Sequence, residues 1–212
     1  MKSYSYEDEI KYYKNNPVRL KPYLHLEPYL TCWFDPKKIF ENKVVLDIGA
    51  GECEYSRLIA DKFDPKEITA CDLISERMQL AKESNKNPKL KFVVGDCFNL
   101  PFKKNSFDVV FGSLILHQLP NLSYALSEVH RVLKDDGLYV GFEPNPFNLT
   151  ILYRYLFKKH SSNQYLFWPW IISPQFEKVS FKIKICYFYS KLPFIKNRFI
   201  GTCIGIIAKN QK

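Results

Sequence analysis

The chain has 212 residues, 46% of them hydrophobic and 16% aromatic, a composition that excludes a disordered segment and suits a single α/β domain with its own core. The formal charge of +9 is uneven: residues 151–212 hold eleven Lys and Arg against one acid, Glu177, which leaves the first 150 residues near neutrality at −1. No apolar run is long enough to span a bilayer, and the opening MKSYSYEDEIKYYKNN lacks the positive-then-apolar layout of an export signal. The expectation is a cytoplasmic protein, at most peripheral on a membrane.

In chain order, residues 5–15 and about 17–33 read as helices, with Pro17 and Pro28 near starts or kinks, and Asp35-Pro36 marks a boundary before a short helix. These residues, 1–41, are expected as a helical cap. The stretch Lys43-Val-Val-Leu-Asp-Ile-Gly-Ala-Gly-Glu-Cys-Glu54 then reads as a buried parallel strand, 43–48, running into a glycine turn and a helix at 53–63. Gly49 and Gly51 remove Cβ atoms where the backbone turns tightly and approaches a ligand, and a helix N-terminus follows. A dinucleotide fingerprint requires Gly or Ala at the sixth position, which here is Glu54, and Glu52 adds a second acid. Two carboxylates repel a pyrophosphate but suit a ligand bearing a sulfonium and an ammonium, so the turn favours S-adenosylmethionine (SAM) over NAD or FAD.

A short strand, Glu67-Ile-Thr-Ala-Cys-Asp72, ends in an acid 21 positions after Gly51, where a carboxylate can accept from both hydroxyls of a ribose. Capping of the next helix, 75–86, is the alternative role for Asp72. A strand at 90–94 leads into Gly95-Asp-Cys-Phe-Asn-Leu-Pro-Phe102, where Asp96 also suits an Asx-type turn. Strand 107–112, helix 121–133 and strand 137–143 follow, then Glu143-Pro-Asn-Pro146, a helix at about 147–158, an aromatic loop at 163–170, and strand candidates at 177–187 and 199–208 separated around Pro193. Alternating apolar strands and amphipathic helices mean a parallel sheet covered on both faces, with the ligand at the carboxyl ends of the strands where the order reverses.

Four signals in register resemble the class I SAM-dependent methyltransferases of small-molecule type (the methyltransferase-11 and methyltransferase-25 group), over roughly residues 43–145: Leu46-Asp-Ile-Gly-Ala-Gly51, Glu67 to Asp72, Phe92 to Phe102, and Ser106-Phe-Asp-Val-Val-Phe-Gly-Ser-Leu-Ile-Leu-His-Gln-Leu119 with Leu126 to Val140. Cys53 stands where that family's third glycine usually falls. The resemblance implies a Rossmann-like three-layer α/β sandwich, with a mostly parallel seven-stranded sheet ending in an antiparallel pair. It further implies one methyltransferase domain over 1–212, with a SAM-binding core at 42–145 and an aromatic, basic substrate region with the final strands at 146–212. Cofactor contacts are implied at Asp47, Gly49, Gly51, Asp72, Leu73 (or Ile74), Asp96, the backbone of Cys97, and Ser113. Asp96 would accept from the adenine amino group.

Methyl transfer is an in-line displacement that needs proximity and a dry site, and no enzyme nucleophile. A base is required only for some acceptors, and His117, in the loop after the fourth strand, is the candidate; packing between Leu116 and Leu119 is the alternative. His130 reads as a packing or surface residue, and Glu143 either orients an acceptor or bonds backbone near Pro144. The six cysteines form no C-x-x-C pair and the four histidines no ligand spacing, so reduced thiols and no metal are expected. The tail joins many aromatics to its lysines, which suggests an anionic lipid surface, a phosphorylated substrate or nucleic acid, or surface lysines that only confer solubility. The chain has neither an Asn/Asp-Pro-Pro-Tyr tetrapeptide nor a Pro-Cys dipeptide, which argues against DNA methylation. The favoured acceptor is a hydrophobic small molecule of lipid, isoprenoid or quinone-like type, met in a tail pocket rimmed by Lys158, Lys159, Lys178 and Lys182. A tRNA or RNA methyltransferase and a SAM-binding non-catalytic partner subunit are the alternatives.

Overall fold

The structure, a computed structural model, describes residues 22–157, 168–188 and 197–212, with two isolated helical positions at 11 and 15. Of the helix expected at 5–15 only positions 11 and 15 are described, and the rim residues Lys158 and Lys159 lie outside the described residues. Its strands are β1 (Val44–Ile48), β2 (Glu67–Asp72), β3 (Leu90–Val94), β4 (Phe107–Ser113), β5 (Leu133–Pro144), β6 (Phe181–Phe188) and β7 (Cys203–Asn210). They form one sheet in the order β3-β2-β1-β4-β5-β7-β6. β1 to β5 run parallel, and β7 enters antiparallel between β5 and β6. This is the expected mostly parallel seven-stranded sheet with an antiparallel terminal pair.

Helices α1 (Glu27–Thr31), α2 (Pro36–Phe40), α3 (Glu54–Lys62), α4 (Ser75–Ser84), α5 (Leu122–Val132), α6 (Leu149–Phe157) and α7 (Pro169–Lys178) surround it. Alternation along each strand builds the layers. Val45, Val109, Phe111 and Val140 face α1 to α4, whereas Leu46, Ile48, Val110 and Tyr139 face α5 and α7. Local sequence sets several helix ends: the Asp35 carboxylate accepts from the Lys37 N–H at the start of α2, and the Asn121 side chain accepts from the Tyr124 N–H at the start of α5. In α5 the buried Leu122, Ala125, Leu126, Val129 and Val132 recur at helical spacing.

Three elements differ from expectation. The span 17–33 holds, within its described part, only a 3₁₀ turn at Leu24–Leu26 and the short α1, with Pro28 in the first turn of α1. Of the expected aromatic loop, 163–167 lie outside the described residues, while Trp168 caps α7 and Pro169 and Trp170 open it; the strand expected from 177 begins at Phe181. Pro169 sits at the first helical position, where its missing N–H costs nothing, and burial of Ile172 and Phe176 offsets the bond lost at Pro174. The last strand starts at Cys203 instead of 199, because Gly201 N–H donates to the Asn197 carbonyl in a turn.

The registers set Ile48, Asp72, Ser113 and Pro144 along one edge of the sheet, with Cys203 and Phe188 continuing it across β7 and β6. Strand order reverses between β1 and β4 at this edge, the switch point where α/β sheets hold ligands.

Candidate functional site

The turn after β1 is built from left-handed backbone. Gly49 has φ +61° and Gly51 φ +54°, and a Cβ on Gly49 would lie 2.5 Å from Cδ1 of Ile115. Cys53 also adopts the left-handed conformation, φ +58°, at the N-cap of α3. That conformation explains why glycine is usual at this position, and Cys53 keeps it by burying its side chain completely in the core. The Ala50 N–H donates to the Cys71 carbonyl, which ties the turn to the end of β2.

Asp72 locks the same two elements together. One carboxylate oxygen accepts from the Gly51 N–H at 2.8 Å and the other from the Ile74 N–H at 2.9 Å. Burial pushes its pKa up, and the two backbone bonds oppose that shift. Each oxygen keeps a further lone pair, so the carboxylate can still accept from a vicinal diol.

These groups open onto a cavity of about 310 Å³, within the range of ligand sites. Gly49, Gly51, Asp72, Leu73, Ile74, Cys97 and Ser113 all line it, so the structure brings most of the expected cofactor residues together. Glu52, Glu54, Tyr55, Arg77, Gln118 and Leu119 also line it, and the sequence reading assigned none of them a contact except the two acids. The Arg77 guanidinium lies 3.8 Å from the Glu52 carboxylate. Three carboxylates therefore border the space against one guanidinium, an excess of negative charge that fits a cationic nucleoside better than a pyrophosphate. Leu114, Ile115 and Leu119 form an apolar stretch of its wall, with Ile115 packed against Gly49.

Three expected residues do not border the cavity. Asp47 points to the α3 face, where its carboxylate accepts from the Ser56 hydroxyl at 2.5 Å, and burial pushes its pKa up to about 7. It backs the glycine turn instead of lining the cavity. Asp96 accepts from the Phe98 N–H at 2.9 Å, the Asx-turn geometry, and its neighbours Gly95 and Cys97 provide the lining. The imidazole of His117 is buried behind the wall, with Nδ1 2.6 Å from a Glu143 oxygen.

Glu143 is the group that organises this loop. It is fully buried, and its carboxylate accepts from the N–H groups of Ile115 (3.2 Å), Leu116 (2.8 Å) and His117 (3.4 Å) as well as from His117 Nδ1. It thereby fixes the 3₁₀ turn Leu116–Gln118 that carries the apolar wall. A second clamp holds the segment before β4: Glu128 accepts from the Leu100 N–H, and the Arg131 guanidinium donates to the carbonyls of Leu100 and Phe102 and to Glu128. This is the physical content of the Leu-Pro-Phe and Glu-Val-His-Arg segments. His130 packs edge-on to Phe181. Cys53, Cys71, Cys97 and Cys203 are free thiols, and among the described residues no cluster of His, Cys, Asp and Glu could hold a metal ion.

Beyond β5, Phe147 is the hub of an aromatic cluster. Trp168, Trp170, Tyr187 and Phe199 pack on its ring with centroids 5.2 to 6.1 Å away, and Trp168 stacks on Trp170 at 4.8 Å. The cation here is Arg198, 5.1 Å from the Phe147 ring and 4.6 Å from that of Phe199. Lys178 and Lys182, expected on the rim, lie instead at the far end of α7 and the start of β6, beside the opposite edge of the sheet.

The methyltransferase domain family model matches residues 46–141. The phthiotriol/phenolphthiotriol dimycocerosates methyltransferase of Mycobacterium tuberculosis is 35% identical over 106 residues, 49% of this chain and 39% of that protein. The demethylmenaquinone methyltransferase of Staphylococcus epidermidis is 31% identical over 108 residues, 50% of this chain and 45% of that protein. This chain thus spans less than half the length of these curated relatives. Among solved structures, a putative S-adenosylmethionine-dependent methyltransferase from Listeria monocytogenes has the same fold, with a TM-score of 0.67 and 17% identity over 87% of this chain and 100% of that one.

Proposed function

We propose, for a chain whose residues 46–141 are a methyltransferase domain of the class I SAM-dependent type, that it transfers a methyl group to a small hydrophobic acceptor of lipid, isoprenoid or quinone-like chemistry. One observation carries this reading: a single cavity is lined both by the Asp72 carboxylate and the glycine turn and by the apolar side chains of Leu114, Ile115 and Leu119. The relatives named above, which bear the names of lipid and quinone methyltransferases, support it.

When bound, SAM supplies an electrophilic methyl group on a sulfonium. The chain's part is binding, orientation and exclusion of water. Asp72 accepts from the ribose hydroxyls, with its carboxylate already aimed by Gly51 and Ile74. Leu73 and Ile74 offer apolar surface to the adenine, and Cys97 lines the same cavity. Glu52 and Glu54 complement the ligand's positive charge. Asp47 supports the glycine turn from behind through Ser56, and Asp96 shapes the turn that places Cys97. Ser113 and Gln118, next in the chain to Leu114 and Leu119, are polar groups that also line the cavity, where the acceptor is held.

His117 serves here as a positioning residue. Its imidazole is tied to Glu143, and both hold the wall in place, so catalysis rests on proximity. His117→Gln should therefore weaken the fold and the affinity for SAM together. A turnover loss of about 10²–10⁴-fold at unchanged SAM affinity would make it a general base instead.

The experiment for the acceptor incubates the full chain with methyl-labelled SAM and membrane-lipid, soluble small-molecule and RNA extracts of the source cells. Label entering the lipid extract supports the reading. Label confined to the RNA or the soluble extract, or to none, overturns it.

A further inference from the structure

The exposed apolar side chains of this protein are concentrated. Among the described residues, eleven large hydrophobic side chains are 42% exposed or more, and seven of them belong to α6, the start of α7 and the loop before β7. α6 contributes Leu149, Tyr153 and Leu156, whose spacing places them on one face. Trp170 and Ile171 come from the first turn of α7, and Phe199 and Ile200 from the loop.

Side-chain amides bind these pieces into one surface. Asn148 caps α6 by accepting from the Thr150 and Ile151 N–H groups, and its own amide donates to the Ile200 carbonyl at 2.8 Å. The Asn145 amide donates to the carbonyls of Arg198 and Gly201. Phe147, just before α6, then packs with rings from the start of α7, from β6 and from the loop before β7. The surface lies at the carboxyl edge of the sheet, one strand from the cavity, since Ser113 pairs with Phe142 and Glu143 reaches from β5 into the cavity wall.

A concentrated apolar patch of this kind fits a partner. The chemistry decides which. Base stacking would use Tyr153, Trp170 and Phe199 but leave the four aliphatic side chains Leu149, Leu156, Ile171 and Ile200 in water, which favours an apolar partner over nucleic acid. No Asp or Glu occurs from residue 144 to 176 or after 177, while this part of the chain carries Arg154, Lys158, Lys159 and Arg198. A second copy would therefore set cations against cations. An anionic bilayer satisfies both features: Trp and aliphatic side chains enter its interface, and cations meet its headgroups. The Arg198 charge already lies among the rings that would enter.

We propose that this edge is a membrane-docking face that seats the chain on an anionic bilayer, so that a lipid-dissolved acceptor approaches the cavity from the membrane. The proposal rests on the lipid-like acceptor reading above. The test is co-sedimentation of the full chain with vesicles of phosphatidylcholine alone or mixed with phosphatidylglycerol, at low and high salt. Binding is expected to the mixed vesicles and to weaken with salt. Trp170→Ala combined with Phe199→Ala, and separately Arg198→Glu, should each weaken it about tenfold or more, with SAM binding by calorimetry unchanged as the check that the variants fold. Absence of vesicle binding, equal binding by the variants, or retention on bulk tRNA in place of vesicles would overturn the docking face. Methylation of a detergent-dispersed lipid extract separates the two readings. Label in that extract without vesicle binding removes docking and leaves the acceptor class, whereas vesicle binding without label does the reverse.

Discussion

The half of the sheet formed by β3, β2, β1 and β4 turns its functional groups inward, while the half formed by β5, β7 and β6 turns large apolar groups outward. In the first, Gly49, Gly51 and Asp72 converge on one cavity, and backbone bonds fix the acid before any ligand arrives. In the second, Trp170, Phe199 and the face of α6 are left to solvent around a packed Phe147. The difference separates the half that lines the cavity from the half that carries the exposed apolar surface. Glu143, on β5 but bonded to the loop after β4, joins them.

Breaking that joint should have the largest effect. Glu143→Ala leaves three backbone donors and the His117 ring without their buried acceptor, and should cost about 3–5 kcal/mol in denaturant unfolding. A loss below about 1 kcal/mol would mean that the loop holds itself.

The two halves can next be compared through one residue class. Phe111, on β4, is buried among Phe40, Tyr55 and Phe142, so Phe111→Ala should cost about 3–5 kcal/mol. Trp170 is 60% exposed, and Trp170→Ala should cost less than about 1 kcal/mol despite the larger side chain. Equal losses would show that the outer rings are structural core.

Asp47 provides a pH-dependent probe of the inward half. Its folded pKa is about 7, against 3.8 ordinarily, so the folded state holds the proton more tightly than the unfolded one. Stability from this group is therefore full at low pH and declines as pH rises from about 4 through 7. Asp47→Asn, which keeps an acceptor for Ser56, should stabilise the protein by about 2–4 kcal/mol near pH 8 and hardly at all near pH 4. Melting curves across that range check it, and a pH-independent difference would contradict the assignment.

Much of the inward half was legible because a buried parallel strand writes itself as an apolar run and a tight turn as glycines. The spacing from Gly51 to Asp72 carried the rest. Period-two alternation also held a signal that went unused: Asp47 shares a face with Val45, not with Leu46 and Ile48, and so points to α3 and Ser56. Arg77 and Tyr55 reach the cavity from helices whose rotation tertiary packing sets, and no local motif marks them. The outward half was harder to read. Two prolines in Trp168-Pro-Trp-Ile-Ile-Ser-Pro174 read as loop, yet burial of Ile172 and Phe176 made a helix. The placement of Lys178 at the far end of that helix then followed from its length, and Arg198 lies among the rings where Lys178 and Lys182 were expected.

Everything argued for the inward half rests on a methyl-donor nucleoside lying against Asp72. Calorimetry of the full chain with SAM, S-adenosylhomocysteine and NAD tests this most directly, with Asp72→Ala beside it. The account predicts binding of the first two and not of NAD, with the substitution costing roughly 1.5–3 kcal/mol of affinity in a variant that still melts cooperatively. Binding of NAD in preference to SAM, or SAM affinity untouched by the loss of Asp72, would contradict it.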